Sequence, residues 1–184
     1  MESEIKNSIE QLDKGGLLLY PTDTIWGIGC DINNEAAVRR IFELKQRPWD
    51  KKLIVLVADI NMLERYVGKV DDTLKQSMDD HKNPLTVIYK NPKLPDYLLA
   101  DDMSVAIRIP EHTFCQALIK RFGSPITSTS ANLSGNPIPQ VYKEINKGIL
   151  KGVDYVVNLE RSKPPVTKAS NIAKYLDRKL HYIR

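Results

Sequence analysis

The longest uninterrupted apolar segment of this chain, residues 53–58, is only six residues long and rich in β-branched side chains. A transmembrane helix needs roughly 20 apolar residues, so we expect no membrane-spanning helix. A short β-branched run of this kind is typical of a strand that is buried in a sheet. The chain must therefore build its core from short strands and from the helices that cover them.

Segments with a helical spacing of apolar residues separate the short strands. Ala37, Ile41 and Leu44 share one face of such a segment, and either Asn33 or Asn34 could cap its first turn. The other predicted helices begin near residues 5, 59, 71 and 113 or lie around 141–147. The predicted strands are 17–20, 53–58, 85–89, 104–109, 126–130 and 155–159, with extended segments near 172 and 180.

This alternation predicts an α/β fold in a single domain that spans residues 1–184. Segment 104–110 could pair antiparallel with segment 85–89, so we expect a mixed sheet rather than a purely parallel one. Hydrophobic residues make up 42% of the chain and charged residues 27%, which is typical of globular proteins rather than disordered ones.

Charge and cysteine content narrow the setting in which the protein works. The 27 Lys and Arg residues exceed the 23 Asp and Glu residues by four, which suits phosphate-bearing ligands, RNA or simply a solvated lysine-rich surface. Cys30 and Cys115 form no C-x-x-C pattern, so we expect neither a disulfide framework nor a thiolate metal site. This cysteine usage predicts a reducing, intracellular compartment, and the acidic N-terminus does not resemble a signal peptide.

Hydroxyl side chains are concentrated in segment 125–137. Five of the eight residues 127–134 are Ser or Thr, Asn132 adds an amide, and Gly135 with the following prolines turns the backbone. Hydroxyls, an amide and free backbone N–H groups can surround phosphate oxygens or a phosphate-bound Mg²⁺. The alternative is a polar turn whose hydroxyls bond to their own backbone.

Three further segments carry candidate binding residues. Lys45 and Arg47 lie near a predicted helix end, where they could bind phosphate or only offset the helix dipole. Segment 20–30 leads from a strand into a loop rich in Thr and Gly, but its G-x-G lacks the third glycine of a dinucleotide site. Arg108 shares a strand face with Ser104 and needs a carboxylate or phosphate partner, which a structural Asp or Glu could also supply.

Several kinds of catalysis are excluded by the sequence. The signatures G-x-x-x-x-G-K-[ST] and G-x-S-x-G do not occur, and the three histidines are scattered without an H-E-x-x-H pattern. No nucleophile–base pair is evident. We therefore expect catalysis by positioning and charge stabilisation.

Taken together, these segments resemble the YrdC-like family of threonylcarbamoyl-AMP synthases. The matching pieces are Y-P-T-D-T and W-G-I-G-C in 20–30, K-Q-R-P at 45–48, P-L-T at 84–86, S-V-A-I-R-I-P at 104–110 and S-T-S-A-N-L-S-G at 128–135. They occur in the family's order and spacing, and the chain length is similar to that of the short, single-domain branch. The resemblance implies a twisted mixed sheet with helices around a concave, basic cavity.

The resemblance also implies a reaction. L-Threonine, bicarbonate or CO₂, and ATP with Mg²⁺ would give threonylcarbamoyl-AMP and pyrophosphate, without a tightly bound metal or organic cofactor. The implied partners are the proteins that transfer the threonylcarbamoyl group to adenosine 37 of tRNA in the cytoplasm. Direct contact with tRNA or double-stranded RNA is compatible with the resemblance, and no membrane is implied.

Site residues follow from their positions in the family's motifs. The residues implied for catalysis are Lys45, Arg47, Ser130 and Asn132. The residues implied for ATP binding are those four together with Lys51, Ser104, Ile138 and Arg184. The residues implied for threonine binding are Thr24, Arg108, Ser128 and Ser170. The resemblance assigns no protein ligand directly to a metal.

Three departures from the family pattern leave alternatives open. Leu56 lies where longer members carry a His that faces threonine, although short members also have an aliphatic residue there. Segments 81–84 and 169–172 read H-K-N-P and A-S-N-I instead of the usual W-P-G-P and P-S-T/E-I. The alternatives are a paralogue of the YciO type and a tRNA- or double-stranded-RNA-binding protein without this activity.

Overall fold

One mixed sheet organises the computed structural model, which describes residues 1–164 and 169–183. The strands described are β1 (Leu18–Tyr20), β2 (Gly27–Gly29), β3 (Ile54–Leu56), β4 (Leu85–Lys90), β5 (Ser104–Arg108), β6 (Ile126–Ser130), β7 (Tyr155–Val156), β8 (Asn171–Leu176) and β9 (Lys179–Tyr182). The α-helices are α1 (Glu2–Asp13), α2 (Glu35–Lys45), α3 (Ile60–Val67), α4 (Asp72–Asp79), α5 (Thr113–Phe122) and α6 (Lys147–Gly152). Short 3₁₀ helices occupy Asp96–Leu98 and Tyr142–Glu144.

The strands lie in the order β7–β1–β2–β6–β3–β5–β4–β8–β9. Strand β1 pairs parallel with β7, β3 with β5, and β4 with β8, whereas the other neighbouring strands are antiparallel. The predicted α/β fold with a mixed sheet is confirmed.

The predicted antiparallel pairing of β4 with β5 decides which side chains reach each face of the sheet. Val87 lies opposite Ile107, and both side chains are buried in the core. Ile88 lies opposite Ala106 in the next residue pair of the two strands. Because side chains alternate across a strand, Ile88 and Ala106 point to the other face, which carries the candidate site.

The predicted helix starts at Asn34, Asp59 and Asp71 are confirmed. Asn34 Oδ1 accepts a hydrogen bond from Ala37 N at 3.0 Å, and Asp59 Oδ1 accepts one from Met62 N at 2.8 Å. Each cap of this kind stabilises its helix by about 1 kcal/mol. Among the described residues, the helices are all too short or too polar to cross a membrane.

The structure corrects the predicted helix around 141–147. A 3₁₀ turn at Tyr142–Glu144 is followed by Ile145 in an extended conformation, with ψ 128°. Helix α6 begins only at Lys147, where the Asn146 side chain accepts a hydrogen bond from Gly148 N at 2.7 Å. Asparagine caps a helix more readily than it continues one, so it separates the two elements.

The glycines of β2 allow a close approach to β6. A Cβ atom at Gly29 would lie 2.0 Å from the Thr127 carbonyl oxygen, a separation that only glycine permits. At Gly27 the same atom would lie 3.1 Å from Ser128 Oγ. The G-x-G pattern in this chain therefore serves strand packing, and it brings the hydroxyl-rich β6 into the middle of the sheet.

Candidate active site

A cavity of about 270 Å³ opens on the sheet face that carries Ile88 and Ala106. Its apolar lining includes Ile54, Ile88, Ala106 and Ile172, from four different strands. The polar lining residues described are Thr22, Thr24, Arg47, Lys52, Arg108, Ser128, Thr129, Ser130 and Ser170. Among the described residues the lining contains three cationic side chains and no carboxylate, so the cavity favours anionic ligands.

Sheet register arranges the polar side chains along β3. Leu56 lies beside Arg108 of β5, and Ile54 lies opposite Ser128 of β6. Ser128 is therefore two residues along β3 from the level of Arg108, and Ser130 lies two residues further in the same direction along β6. The levels of Arg108 and Ser130 are thus about four residues of extended chain apart, which is about 13 Å. The cavity therefore has an Arg108 end and a Ser130 end.

Arg108 is 5% exposed and only partly paired. Its Nη1 donates a hydrogen bond to Thr24 Oγ1 at 3.1 Å, and its Nη2 lies 3.5 Å from Asp23 Oδ1. Its Nε has no hydrogen-bond partner among the described residues, and neither do the two carboxylate oxygens of Asp23. A guanidinium at a cavity wall can bind a carboxylate in a bidentate manner.

Hydroxyl groups surround the Arg108 end of the cavity. Thr24 Oγ1 also contacts Thr22 Oγ1 at 2.9 Å, and Thr22 Oγ1 donates to the Ile25 carbonyl oxygen at 2.7 Å. Ser170 Oγ lies 2.8 Å from Thr86 Oγ1, which fixes the start of β8 against β4. Hydroxyls both donate and accept hydrogen bonds, so they suit a small polar ligand such as an amino acid.

The loop after α2 carries two of the three cationic side chains that line the cavity. Arg47 Nε donates to the Lys51 carbonyl oxygen at 2.6 Å, and its Nη2 donates to the Lys52 carbonyl oxygen at 3.1 Å. Burial lowers the pKa of the Arg47 guanidinium, while Asp50 opposes that change. Lys52 Nζ lies 4.6 Å above the Trp49 ring. A guanidinium and an ammonium that line the same cavity can neutralise several phosphate oxygens.

Lys45 lies beneath the hydroxyl-rich turn after β6. Its side chain is buried, and its Nζ donates hydrogen bonds to the carbonyl oxygens of Ser130 and Asn132, the second at 2.5 Å. Ser130 Oγ donates to Asn132 Oδ1, also at 2.5 Å. Burial lowers the pKa of the Lys45 ammonium to about 7, and the nearby charge of Arg47 adds to the effect.

The cavity brings together most of the site residues expected from the sequence. Those that line it are Thr24, Arg47, Arg108, Ser128, Ser130, Ile138 and Ser170. The described residues expected at the site that do not line it are Lys45, Lys51, Ser104 and Asn132. Arg184 lies outside the described residues.

Hydrogen bonds to nearby residues explain why two of these residues, Ser104 and Asn132, do not line the cavity. Ser104 Oγ donates to Asp102 Oδ1 at 2.5 Å, at the start of β5 and four residues from Arg108. Asn132 lines a neighbouring cleft of about 360 Å³, and its Nδ2 donates to the Asn136 carbonyl oxygen at 2.7 Å. Lys51 is exposed on the loop that holds Arg47.

Lys52 and Thr22 line the cavity but were not assigned to it from the sequence. For Lys52 a usable signal exists, because it lies two residues before Ile54. Alternation along an extended segment places both on one face. Thr22 offers no comparable signal, because its position depends on the path of the loop between β1 and β2.

Known proteins are similar to this chain over most of its length. A Sua5/YciO/YrdC family model, described as telomere recombination, matches residues 10–184. A putative threonylcarbamoyl-AMP synthase from Methanocaldococcus jannaschii is 38% identical over 189 residues, which cover all of this chain and 87% of that protein. A threonylcarbamoyl-AMP synthase from Xanthomonas oryzae pv. oryzae is 33% identical over 163 residues, which cover 85% of this chain and 86% of that protein.

Solved structures share the fold. Sua5 from P. abyssi in complex with L-threonine has a TM-score of 0.84 and 25% identity, with coverage of all of this chain and 54% of that one. The present chain thus spans about half the length of that protein. E. coli YciO has a TM-score of 0.85 and 24% identity, with coverage of 100% and 89%. Because the family model matches nearly all of its residues, the chain belongs to the Sua5/YciO/YrdC family.

Proposed function

We propose that this protein is an L-threonylcarbamoyladenylate synthase, a nucleotidyltransferase that makes threonylcarbamoyl-AMP and pyrophosphate from L-threonine, bicarbonate or CO₂, and ATP. The proposal is carried by one observation. A single cavity is lined by Arg108 near one end and, as further polar groups, by Arg47 and Ser130. An amino-acid carboxylate and a triphosphate each need their own cation, and their reaction needs both ligands in one cavity. The names of the relatives at 38% and 33% identity support the same assignment.

The Arg108 end is where we place threonine. The Arg108 guanidinium, whose Nε has no hydrogen-bond partner among the described residues, would bind the carboxylate, and the hydroxyls of Thr24, Ser128 and Ser170 would contact the rest of the amino acid. The L-threonine complex of P. abyssi Sua5, a structure with this fold, supports a threonine site in this family. The apolar side chains of Ile88 and Ala106 lie on the same wall of the cavity.

The Ser130 end is where we place the phosphates of ATP. Arg47 would neutralise the leaving pyrophosphate, and the Ser130 hydroxyl would donate to a phosphate oxygen. Among the described residues there is no group of three or more His, Cys, Asp or Glu side chains that could hold a metal ion. Mg²⁺ is commonly held largely by substrate phosphates, so we treat it as part of the Mg–ATP substrate.

The size of the cavity limits what it encloses. Pockets for drug-sized ligands usually measure about 300–1,000 Å³, and this cavity measures about 270 Å³. It is large enough for an amino acid and reacting phosphates but too small to surround a whole nucleotide as well. The nucleoside would therefore extend towards Ile138 and the open side.

The chemistry needs no nucleophilic side chain. The threonine ammonium group and bicarbonate form a carbamate with loss of one water molecule and one proton, whereas CO₂ gives the same carbamate with loss of two protons. The protons pass to solvent. A carbamate oxygen, which is already anionic, then attacks the α-phosphorus of ATP. The new P–O bond forms as the bond to the β-phosphate breaks, and pyrophosphate leaves with the bonding electrons. The protein contributes alignment of two anions and neutralisation of their charge.

The product is a mixed anhydride, which is suited to passing its acyl group to an amine. We propose that tRNA threonylcarbamoyl-transfer proteins consume it at N6 of adenosine 37, and that the reaction takes place in the cytoplasm. The net charge of +4 is compatible with direct contact to tRNA or double-stranded RNA, but synthesis of the intermediate does not require it.

Pyrophosphate release tests the proposal. Purified protein with Mg–ATP should release pyrophosphate only when L-threonine and bicarbonate are both present. Arg47→Ala should abolish release, whereas Arg121→Ala, which removes an exposed arginine paired with Glu2 outside the cavity, should not. If the wild type releases no more pyrophosphate than Arg47→Ala does, the proposal is wrong.

The same preparation separates the alternatives. Turnover with a different amino acid in place of threonine would indicate a related carbamoyl-adenylate enzyme, as expected of a paralogue. An RNA-binding protein without catalysis would instead bind RNA with strong salt dependence. That affinity would survive both Ser130→Ala and excess ATP.

A further inference from the structure

Lys45 and Arg47 are two residues apart in the sequence, but they contact different parts of the site. Lys45 is the last residue of α2, and it is 1% exposed. Gln46 then adopts a left-handed conformation, with φ 50° and ψ 43°, which ends the helix and redirects the chain. Arg47 lines the cavity, whereas Lys45 is not among the described residues that line it. The two cations therefore have separate tasks.

The Lys45 ammonium is surrounded by oxygen atoms of one turn. It donates to the carbonyl oxygens of Ser130 and Asn132 and lies 3.5 Å from Asn132 Oδ1. The main chain of the same residue adds a contact, because the Lys45 carbonyl oxygen accepts a hydrogen bond from Ser134 N at 2.8 Å. Lys45 thus fastens segment 130–134 to the end of α2 at both its side chain and its backbone.

Fastening this turn orients the groups that face the ligand. Ser130 Oγ lines the cavity and donates to Asn132 Oδ1, while Asn132 Nδ2 reaches the Asn136 carbonyl oxygen. Turning the two carbonyl oxygens towards Lys45 fixes the peptide planes that follow Ser130 and Asn132. An ammonium offers three donors, which match the three oxygen atoms around it.

We propose that Lys45 is a positioning residue that fixes the Ser130–Asn132 turn for phosphate binding and does not itself touch the phosphates. This inference rests on the proposed function for the identity of the ligand, but not for the state of the turn. It differs from the direct phosphate contact that the family resemblance implies for Lys45. Arg47, with Ser130, then makes the direct contacts.

Hydrogen exchange in the ligand-free protein tests the state of the turn. Lys45→Met keeps most of the side-chain volume but removes the donors. We expect the amides of segment 131–136 to exchange about tenfold faster, and those of β4 and β5 to be unchanged. Lys151→Met, which replaces an exposed lysine of α6, is the matched control and should alter neither region. Unchanged exchange in segment 131–136 of Lys45→Met would overturn the inference.

A double-mutant cycle tests whether Lys45 acts through the turn. Calorimetry with Mg–ATP would compare Lys45→Met in the wild type and in the Ser130→Ala/Asn132→Ala background. We expect about a tenfold loss of affinity in the first and less than about twofold in the second, because the groups it orients are already gone. An equal loss in both backgrounds would mean direct phosphate contact and would overturn the inference.

The role of Lys45 and the proposed function can be tested separately, even if Lys45→Met does not fold. If Lys45→Met fails to fold by circular dichroism, Lys45→Gln replaces it, since it retains an amide donor that reaches less far. If the wild type shows no threonine-dependent pyrophosphate release, the proposed function fails. The exchange experiment on the free protein still decides the role of Lys45 in that case.

Discussion

Arg108 and Arg47 both line the cavity, but the protein holds them in different ways. Arg108 lies on β5, in the middle of the sheet, and contacts the side chains of Thr24 and Asp23. Arg47 lies in a loop and donates to backbone carbonyl oxygens of the same loop. A residue on a central strand keeps its position more strictly than one on a loop. We therefore expect the Arg108 end to be the more rigid of the two and the Arg47 end to be the more adaptable.

The strongest test of this difference is Arg108→Lys. Lysine keeps the charge but loses the planar fork, and its shorter reach abandons the Thr24 and Asp23 contacts. We expect kcat/KM for threonine to fall about 100-fold, while the Kd for Mg–ATP changes less than about threefold. Arg47→Lys should show the opposite pattern. Equal losses for both ligands in Arg108→Lys would mean that the two ends are not separate.

A finer test uses two serines of one strand. Ser128 and Ser130 lie two residues apart on β6 and line the same cavity. Ser128→Ala should raise KM for threonine about tenfold, and Ser130→Ala should weaken Mg–ATP binding by a similar factor, because each loses a hydrogen bond to a charged group. Initial rates with each substrate varied in turn would measure both. Identical profiles would place one ligand across both serines.

The two ends also differ in how far the sequence predicts them. Strand alternation placed Arg108 on one face of its strand, and its charge required a partner there, which either a ligand or an acidic side chain could supply. The sequence also indicated that β4 and β5 could pair antiparallel, and capping residues predicted the starts of three helices. These features depend on residues that are close together in the sequence, so they can be predicted without knowledge of the tertiary contacts.

The Ser130 end was predicted less well because its geometry depends on contacts between distant segments. The same hydroxyl-rich pattern could have formed a turn bonded only to itself, and part of it does, through Ser130 and Asn132. What the sequence could not reveal is that Lys45, 85 residues earlier in the chain, supplies the buried donor for that turn. The prediction of a helix around 141–147 was wrong for a related reason, because local spacing did not show that Asn146 would start a new helix.

The pH dependence of the Ser130 end tests the charge on Lys45. Burial and Arg47 lower the pKa of the ammonium to about 7. Above that pH the amine keeps only two N–H donors for three oxygen atoms, so affinity for Mg–ATP should fall about fivefold between pH 6 and 9. Threonine binding at the Arg108 end should not share this dependence. The loss should be absent in Lys45→Met, measured by calorimetry across the same range.

Protein stability should respond to pH in the opposite direction. The pKa of Lys45 is lower in the folded chain than in the unfolded one, so the unfolded state binds more protons between pH 7 and about 10.5. The free energy of unfolding of the wild type, relative to Lys45→Met, should therefore rise through that window. A relative stability that is flat or falls with pH would contradict the lowered pKa.

The smallest expected effect separates two adjacent lysines of the adaptable end. Lys52 lines the cavity, and its Nζ donates to the Tyr97 carbonyl oxygen at 3.2 Å, whereas Lys51 is exposed. Lys52→Met should weaken Mg–ATP binding about threefold at low salt, because a partly exposed cation contributes modestly to binding an anion. Lys51→Met should have a smaller effect, since Lys51 is not among the described residues that line the cavity. A larger loss in Lys51→Met would show that the loop rearranges around ATP, which would sharpen the contrast with the rigid Arg108 end.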